Sequence, residues 1–218
     1  DDASTAPGEF KLRLATTALP TVSLITIPGS NSVLEPGTSV LLAATAFDLD
    51  GSIARVEFYN GSTLLGFAET APFTFVFTNT PVGTYRLFAR AVDNLGASAD
   101  SLPSILRVPP PNDDFFRRIV LDGLDSSTPG SNAGASKEEG EPIHGFFLNL
   151  GRSVWYSWTA PTNFGVVLRL SGSIEYSVLA VYRGSTVSAL TNVTFSFLEK
   201  TGTNKLTFAA EAGVTYQI

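Results

Sequence analysis

An all-β chain built as two consecutive β-sandwiches is predicted by three observations. Short runs rich in Val, Ile, Phe, Tyr and Thr alternate with clusters of Gly, Asn, Asp, Pro and Ser along nearly all of the 218 residues. No window sustains the i, i+3, i+4, i+7 apolar stripe of a helix. Hydrophobic residues make up 44% of the chain and charged residues only 16%, so there is apolar surface enough for real cores.

The elements follow in order. From Pro20 the runs TVSLITI, TSVLLAATAFD, ARVEFYNG, TLLGFAET, FTFVFT, TYRLFARAVD and SILRV supply seven strands. That number and spacing suit an immunoglobulin-like sandwich without the Cys and Trp of antibody domains. In ARVEFYN, Val56 and Phe58 alternate with Arg55, Glu57 and Tyr59, which predicts one buried and one wet face. Tyr85 stands at the start of its strand, where a tyrosine corner would tie the chain to the preceding loop. Three consecutive prolines, Pro109 to Pro111, cannot join a sheet interior and mark a boundary; another falls at Leu19–Pro20. The first sandwich is therefore expected over 19–108 and the second over 109–218. In the second, NDDFFRRIV from Asn112 offers one helical turn with Asn or Asp as its N-cap. Trp155 and Trp158 in SVWYSWTAP are an odd number of positions apart, so on a strand they point to opposite faces. One anchors a core; the other faces out, able to stack on a sugar ring, unless a second layer covers it.

Composition removes several functions. A net charge of −6, with no basic run longer than Arg117–Arg118, argues against nucleic acid as a partner. Without cysteine there is no disulfide, thiolate metal site or cysteine nucleophile. No apolar run approaches the ~20 residues of a membrane span. Met is absent too, and the chain reads as a piece of a longer protein whose targeting signal lies outside it.

Three places carry candidate chemistry. KEEGEPIH (Lys137 to His144) sets three glutamates beside the only histidine. One histidine cannot make an H-E-x-x-H zinc site, and no G-x-S-x-G elbow offers a nucleophile for it. Catalysis is therefore not expected. Calcium takes roughly six to eight oxygens. Glu139, Glu141 and Glu138 with Asp113 and Asp114 can supply part of such a set; the alternative is a solvated turn held by Gly140 and Pro142. Asp48, Asp50 and Asp93, with Asn94, form a second acidic set. In the Ig-like topology FDLDG and AVDNLG meet at one end of the sandwich, and the alternatives there are interdomain calcium or plain turn chemistry.

Both halves resemble known families. FDLDGSIARVEFYNGSTLLG and APFTFVFTNTPVGTYRLFARAVDNLGA resemble the bacterial Ig-like repeats of secreted multidomain proteins. NDDF, GASKEEGEPIHG, SVWYSWTAP, VLAVYRGSTVSAL and AGVTYQI resemble bacterial pre-peptidase C-terminal-like domains, which are jelly-roll-like sandwiches. The second resemblance implies calcium near the domain start in some relatives, although Tyr176 and SFLEKTG stand where acidic residues are expected. It also implies a final GxFxLxL strand, absent before Ile218, while DDASTAPGEFKLRLA looks like such an ending. Residues 1–18 are thus expected to finish a preceding domain of a tandem array.

The expected function is that of non-catalytic spacer or adhesion modules of a secreted or surface-attached bacterial protein. Calcium is the one cofactor in view, and neighbouring domains of the same polypeptide are the expected partners. The alternatives are a module that binds polysaccharide or extracellular matrix protein, and an accessory region of an exported hydrolase.

Overall fold

A computed structural model describes residues 18–144, 151–172, 176–198 and 202–218. Of the expected trailing strand at 1–18, residues 1–17 lie outside the described residues. The fold is all-β, with several sheets and, among the described residues, two short 3-10 turns. The chain forms two compact units, and the division is not a single cut. Among the described residues, 18–30, Val40–Phe77 and Arg86–Ser104 make the first; Asn31–Ser39, Thr78–Tyr85 and Ile105–Ile218 make the second.

The first unit carries β1 (Thr21–Ile27), β2 (Val40–Phe47), β3 (Ile53–Asn60), β4 (Thr63–Ala68), β5 (Phe73–Phe77), most of β6 (Gly83–Asp93) and β7 (Ser98–Asp100). Its sheets run β1-β2-β5 and β4-β3-β6-β7, antiparallel throughout. Alternation decides what is buried: Val40 and Leu42 on β2, Val56 and Phe58 on β3, and Leu87, Ala89 and Ala91 on β6 are all inaccessible. Phe58 stacks on Phe75 with ring centroids 5.9 Å apart. Opposite Phe58 lies Gly66, where a Cβ would fall 2.4 Å from the Phe75 ring. Gly66→Ala is therefore expected to destabilise this unit by about 1–3 kcal/mol, because the ring cannot retreat from its stack. Urea unfolding measures it.

The outward face of β3 is less wet than alternation alone predicts. Arg55, Glu57 and Tyr59 are half-buried. Arg55 Nε donates to Glu57 Oε1 at 2.7 Å and Tyr59 Oη donates to Glu57 Oε2 at 2.8 Å. The Tyr59 ring in turn covers Phe88, with centroids 5.1 Å apart. β6 is a central strand, and its outward Phe88 needs that cover.

The second unit begins with β8 (Ser104–Val108) and continues through β9 (Ile119–Leu121), β10 (Tyr156–Thr159), β11 (Phe164–Gly172), β12 (Ser177–Arg183), β13 (Thr191–Leu198), β14 (Gly202–Ala210) and β15 (Thr215–Gln217). Leu34 N–H donates to the Arg107 carbonyl at 2.8 Å and Arg107 N–H to the Ser32 carbonyl at 3.1 Å, which places 31–39 in this unit. Tyr85 Oη donates to the Pro81 carbonyl, the tyrosine corner read from the sequence. One sheet has the order β13-β12-β15-β10-β9, with β9 parallel to β10; β11 and β14 form a separate antiparallel pair.

Both tryptophans are buried, and on opposite faces. Trp158 packs with Val181, Leu206 and Tyr216, backed by Phe164. Trp155 packs with Phe115, Ala180 and Tyr182. The five-stranded sheet is therefore covered on both sides, which removes the outward-facing tryptophan. The expected helical turn is a 3-10 turn at Phe115–Arg117, and its Asp114 makes no side-chain cap. Glu138 does that work from a distance, its Oε2 accepting the Phe115 N–H at 2.6 Å.

Candidate functional site

KEEGEPIH folds as a turn. Gly140 takes φ +88°, and the Glu141 N–H reaches the Glu138 carbonyl at 3.3 Å. This turns Glu141 inward until none of its side chain is exposed. The carboxylate accepts from the Glu138 N–H at 2.9 Å, from Ser153 Oγ at 2.8 Å to each oxygen, and from His144 Nε2 at 3.2 Å. With Nε2 donating, His144 Nδ1 accepts from Tyr182 Oη at 2.8 Å. Burial pushes the Tyr182 phenol up to about 12, so it stays protonated and donates. Burial also opposes the charge on Glu141, but the bonds from His144, Glu138 and Ser153 outweigh it and hold this carboxyl below its usual range. Glu138 goes the other way: burial, joined by the charges of Asp114, Glu141 and Asp113, raises it against the bond from Phe115 N–H.

The arrangement is a closed network rather than a reaction centre. Ser153 donates to the carboxylate and not to the imidazole, so nothing draws its proton toward a base. The other acids expected here do not converge. Asp113 is buried and paired with Arg107 Nη1 at 2.8 Å, and also accepts from Ser136 N–H at 2.5 Å. Asp114 is half-exposed, 4.0 Å from Arg117 Nε, and Glu139 faces solvent. Among the described residues no three His, Cys, Asp or Glu side chains are grouped to hold a metal ion. Ser153 and Tyr182 were missed by the sequence reading, because nothing local marks them as partners of Glu141 and His144.

The second acidic set does converge in part. β2 ends before Asp48 and β6 ends at Asp93, so both acids stand where strands open into loops. Asn94 Oδ1 accepts the Ser52 N–H at 3.0 Å, and Asn94 N–H donates to the Ser52 carbonyl at 2.9 Å, which ties the two loops. Asp93 Oδ1 accepts from Leu95 N–H and Ala97 N–H, each at 2.8 Å. Asp48 is 6% exposed and Asp93 2%. Burial, then the charges of Asp50 and Asp93, push the Asp48 carboxyl up. Asp50 is exposed and accepts the Ala18 N–H at 2.9 Å.

A concavity of about 450 Å³ in the second unit is lined by Leu121, Trp158, Phe164, Val166, Leu168 and Phe208 among others. Its lining holds one carboxylate, Asp125, and so not the facing pair that glycoside hydrolysis requires. Among the described residues no helix is long and apolar enough to cross a membrane.

No curated protein matches the chain. Solved structures similar to it include two of β-sandwich modules. Fibronectin(III)-like modules of Clostridium thermocellum CbhA share 31% identity over 40% of this chain and 94% of theirs, with a TM-score of 0.36. A carbohydrate-binding module structure of the β-sandwich superfamily shares 14% identity over 93% of this chain and 90% of its own, again with a TM-score of 0.36. Residues 20–89 match the bacterial Ig domain family, and over that segment the chain is Ig-like.

Proposed function

We propose that the chain is a pair of non-catalytic β-sandwich modules, an Ig-like spacer followed by a pre-peptidase C-terminal-like module, from a secreted or surface-attached bacterial protein. The observation that carries this reading is the fate of the chain's only histidine. Its two nitrogens meet a fully enclosed carboxylate and a protonated phenol, both of which hold loops and strands together. Groups that would serve catalysis are used for joining. The family match over residues 20–89 supports the Ig-like half. Strands satisfy their own backbone groups, which suits a spacer that must present other modules without unfolding.

A depletion assay tests it. The chain is mixed at micromolar concentration with insoluble cellulose, chitin and fibrillar collagen, and the unbound fraction is measured. A spacer leaves that fraction unchanged on all three. Saturable retention on any of them makes the chain a polysaccharide- or matrix-binding module instead.

A further inference from the structure

We propose that the FDLDG and VDN loops of the first unit bind a divalent cation, calcium by its donor chemistry, through the two carboxylates of Asp48 and Asp93 and the amide oxygen of Asn94. Asp48 and Asp93 carry carboxylates that are more than nine-tenths buried. A buried charge is ordinarily paired or holds a metal. Here Asp48 Oδ1 and Asp93 Oδ2 have no hydrogen-bond partner among the described residues, and the charges that act on Asp48 are themselves acidic.

Turn formation does not account for this. The turn after β6 uses Asp93 Oδ1, and the tie between the loops uses Asn94 Oδ1. Neither needs the second oxygen of Asp93 or the buried carboxylate of Asp48. The two backbone N–H groups on Asp93 Oδ1 do, however, fix the orientation of its other oxygen.

Gly51 supplies the remaining observation. A Cβ there would lie 2.3 Å from Asn94 Oδ1 and 2.6 Å from Asp48 Oδ2. The two loops thus pack closely around Gly51, and only a residue without a side chain lets the Asp48 carboxylate and the Asn94 amide come this near each other. All the groups gathered here are oxygens, from carboxylate and amide, with no nitrogen or sulfur ligand. Calcium accepts such a set at irregular geometry, whereas magnesium demands an octahedron and zinc prefers His and Cys. Two carboxylates with neutral oxygens suit the weak end of calcium affinity, roughly 10⁻⁴–10⁻³ M.

The test uses the 218-residue chain, calorimetric titration with calcium chloride, and thermal unfolding in 10 mM calcium or in EDTA. The melting temperature of the first unit is expected to rise by about 3 °C or more, because the ion binds only the folded form. Asp48→Asn and Asp93→Asn each abolish the rise, while Glu139→Gln, on an exposed residue of the other acidic set, leaves it intact. Asp50→Asn folds whatever the others do, since Asp50 is exposed, and by removing a charge that acts on Asp48 it weakens binding severalfold. No heat and no shift overturns the proposal. So does a shift that survives Asp48→Asn and Asp93→Asn. A calcium-indifferent wild type that Asp48→Asn stabilises in EDTA also overturns it, by showing that the buried pair shares a proton.

Discussion

Trp155→Ala is expected to cost the second unit about 3–5 kcal/mol, the range for truncating a fully buried large aromatic. Trp155 is 2% exposed and stands at the middle of its cluster. Phe115 meets it edge-on at 5.1 Å, His144 at 5.6 Å, and Tyr182 at 6.2 Å. Phe115 belongs to the 3-10 turn and His144 to KEEGEPIH, while Tyr182 lies on β12. Losing the indole therefore frees two loops from the sheet as well as opening a cavity. Guanidinium unfolding followed by tryptophan fluorescence reads the loss, with Trp158 as the remaining reporter. A cost under ~1 kcal/mol would mean that these loops do not depend on Trp155.

Glu141→Ala is the second large effect, expected at about 2–4 kcal/mol, since it strands buried donors that have lost their acceptor. Those donors are the Glu138 N–H, Ser153 Oγ and His144 Nε2. Ser153 Oγ can fall back on the Ser136 carbonyl at 3.1 Å, which keeps the cost from being larger. Glu141→Gln adds a pH signature. The folded carboxyl titrates below its unfolded value, so the folded state binds fewer protons than the unfolded state. The stability this gives is fully present above the unfolded pKa near ~4.3 and is lost as pH falls through the folded one. The stability difference between wild type and Glu141→Gln should therefore shrink as the pH falls below about 4. Glu138, raised rather than lowered, has the opposite sign. Comparing the two proteins removes the part due to burial, while the part due to the Glu141 charge is lost with that charge.

Local pattern told most of the strands between Pro20 and Val108. Alternation in TVSLITI and SILRV gives β1 and β8 with their observed ends, and the place of Tyr85 before its strand gives the corner to Pro81. The three-residue β7 was missed, because SAD has no β-branched or aromatic residue to mark it. In the second unit the odd spacing of Trp155 and Trp158 correctly sends them to opposite faces. What covers the second face was not legible, since it is a loop and a 3-10 turn with no periodicity of their own.

The same limit applied to the acidic sets. KEEGEPIH looks like a ligand loop because its glutamates are adjacent in sequence. The structure separates them, sending Glu141 inward and Glu139 out, and supplies partners from 12 and 38 residues away. Asp48 and Asp93 are far apart in sequence, yet the Ig-like strand order brings their loops together. Neighbours along the chain are sent apart in one case, and loops distant along the chain are tied together in the other.

Amide hydrogen exchange at Glu138 tests most directly the claim that KEEGEPIH is an internal joint. Its N–H donates to a Glu141 carboxylate that is itself enclosed. In the wild type this amide should be protected as strongly as those of β10 and β12, and Glu141→Gln should speed its exchange at least about tenfold. A Glu138 amide that exchanges freely while β10 stays protected would contradict the account. The loop would then be open to solvent, and its carboxylates free for a ligand.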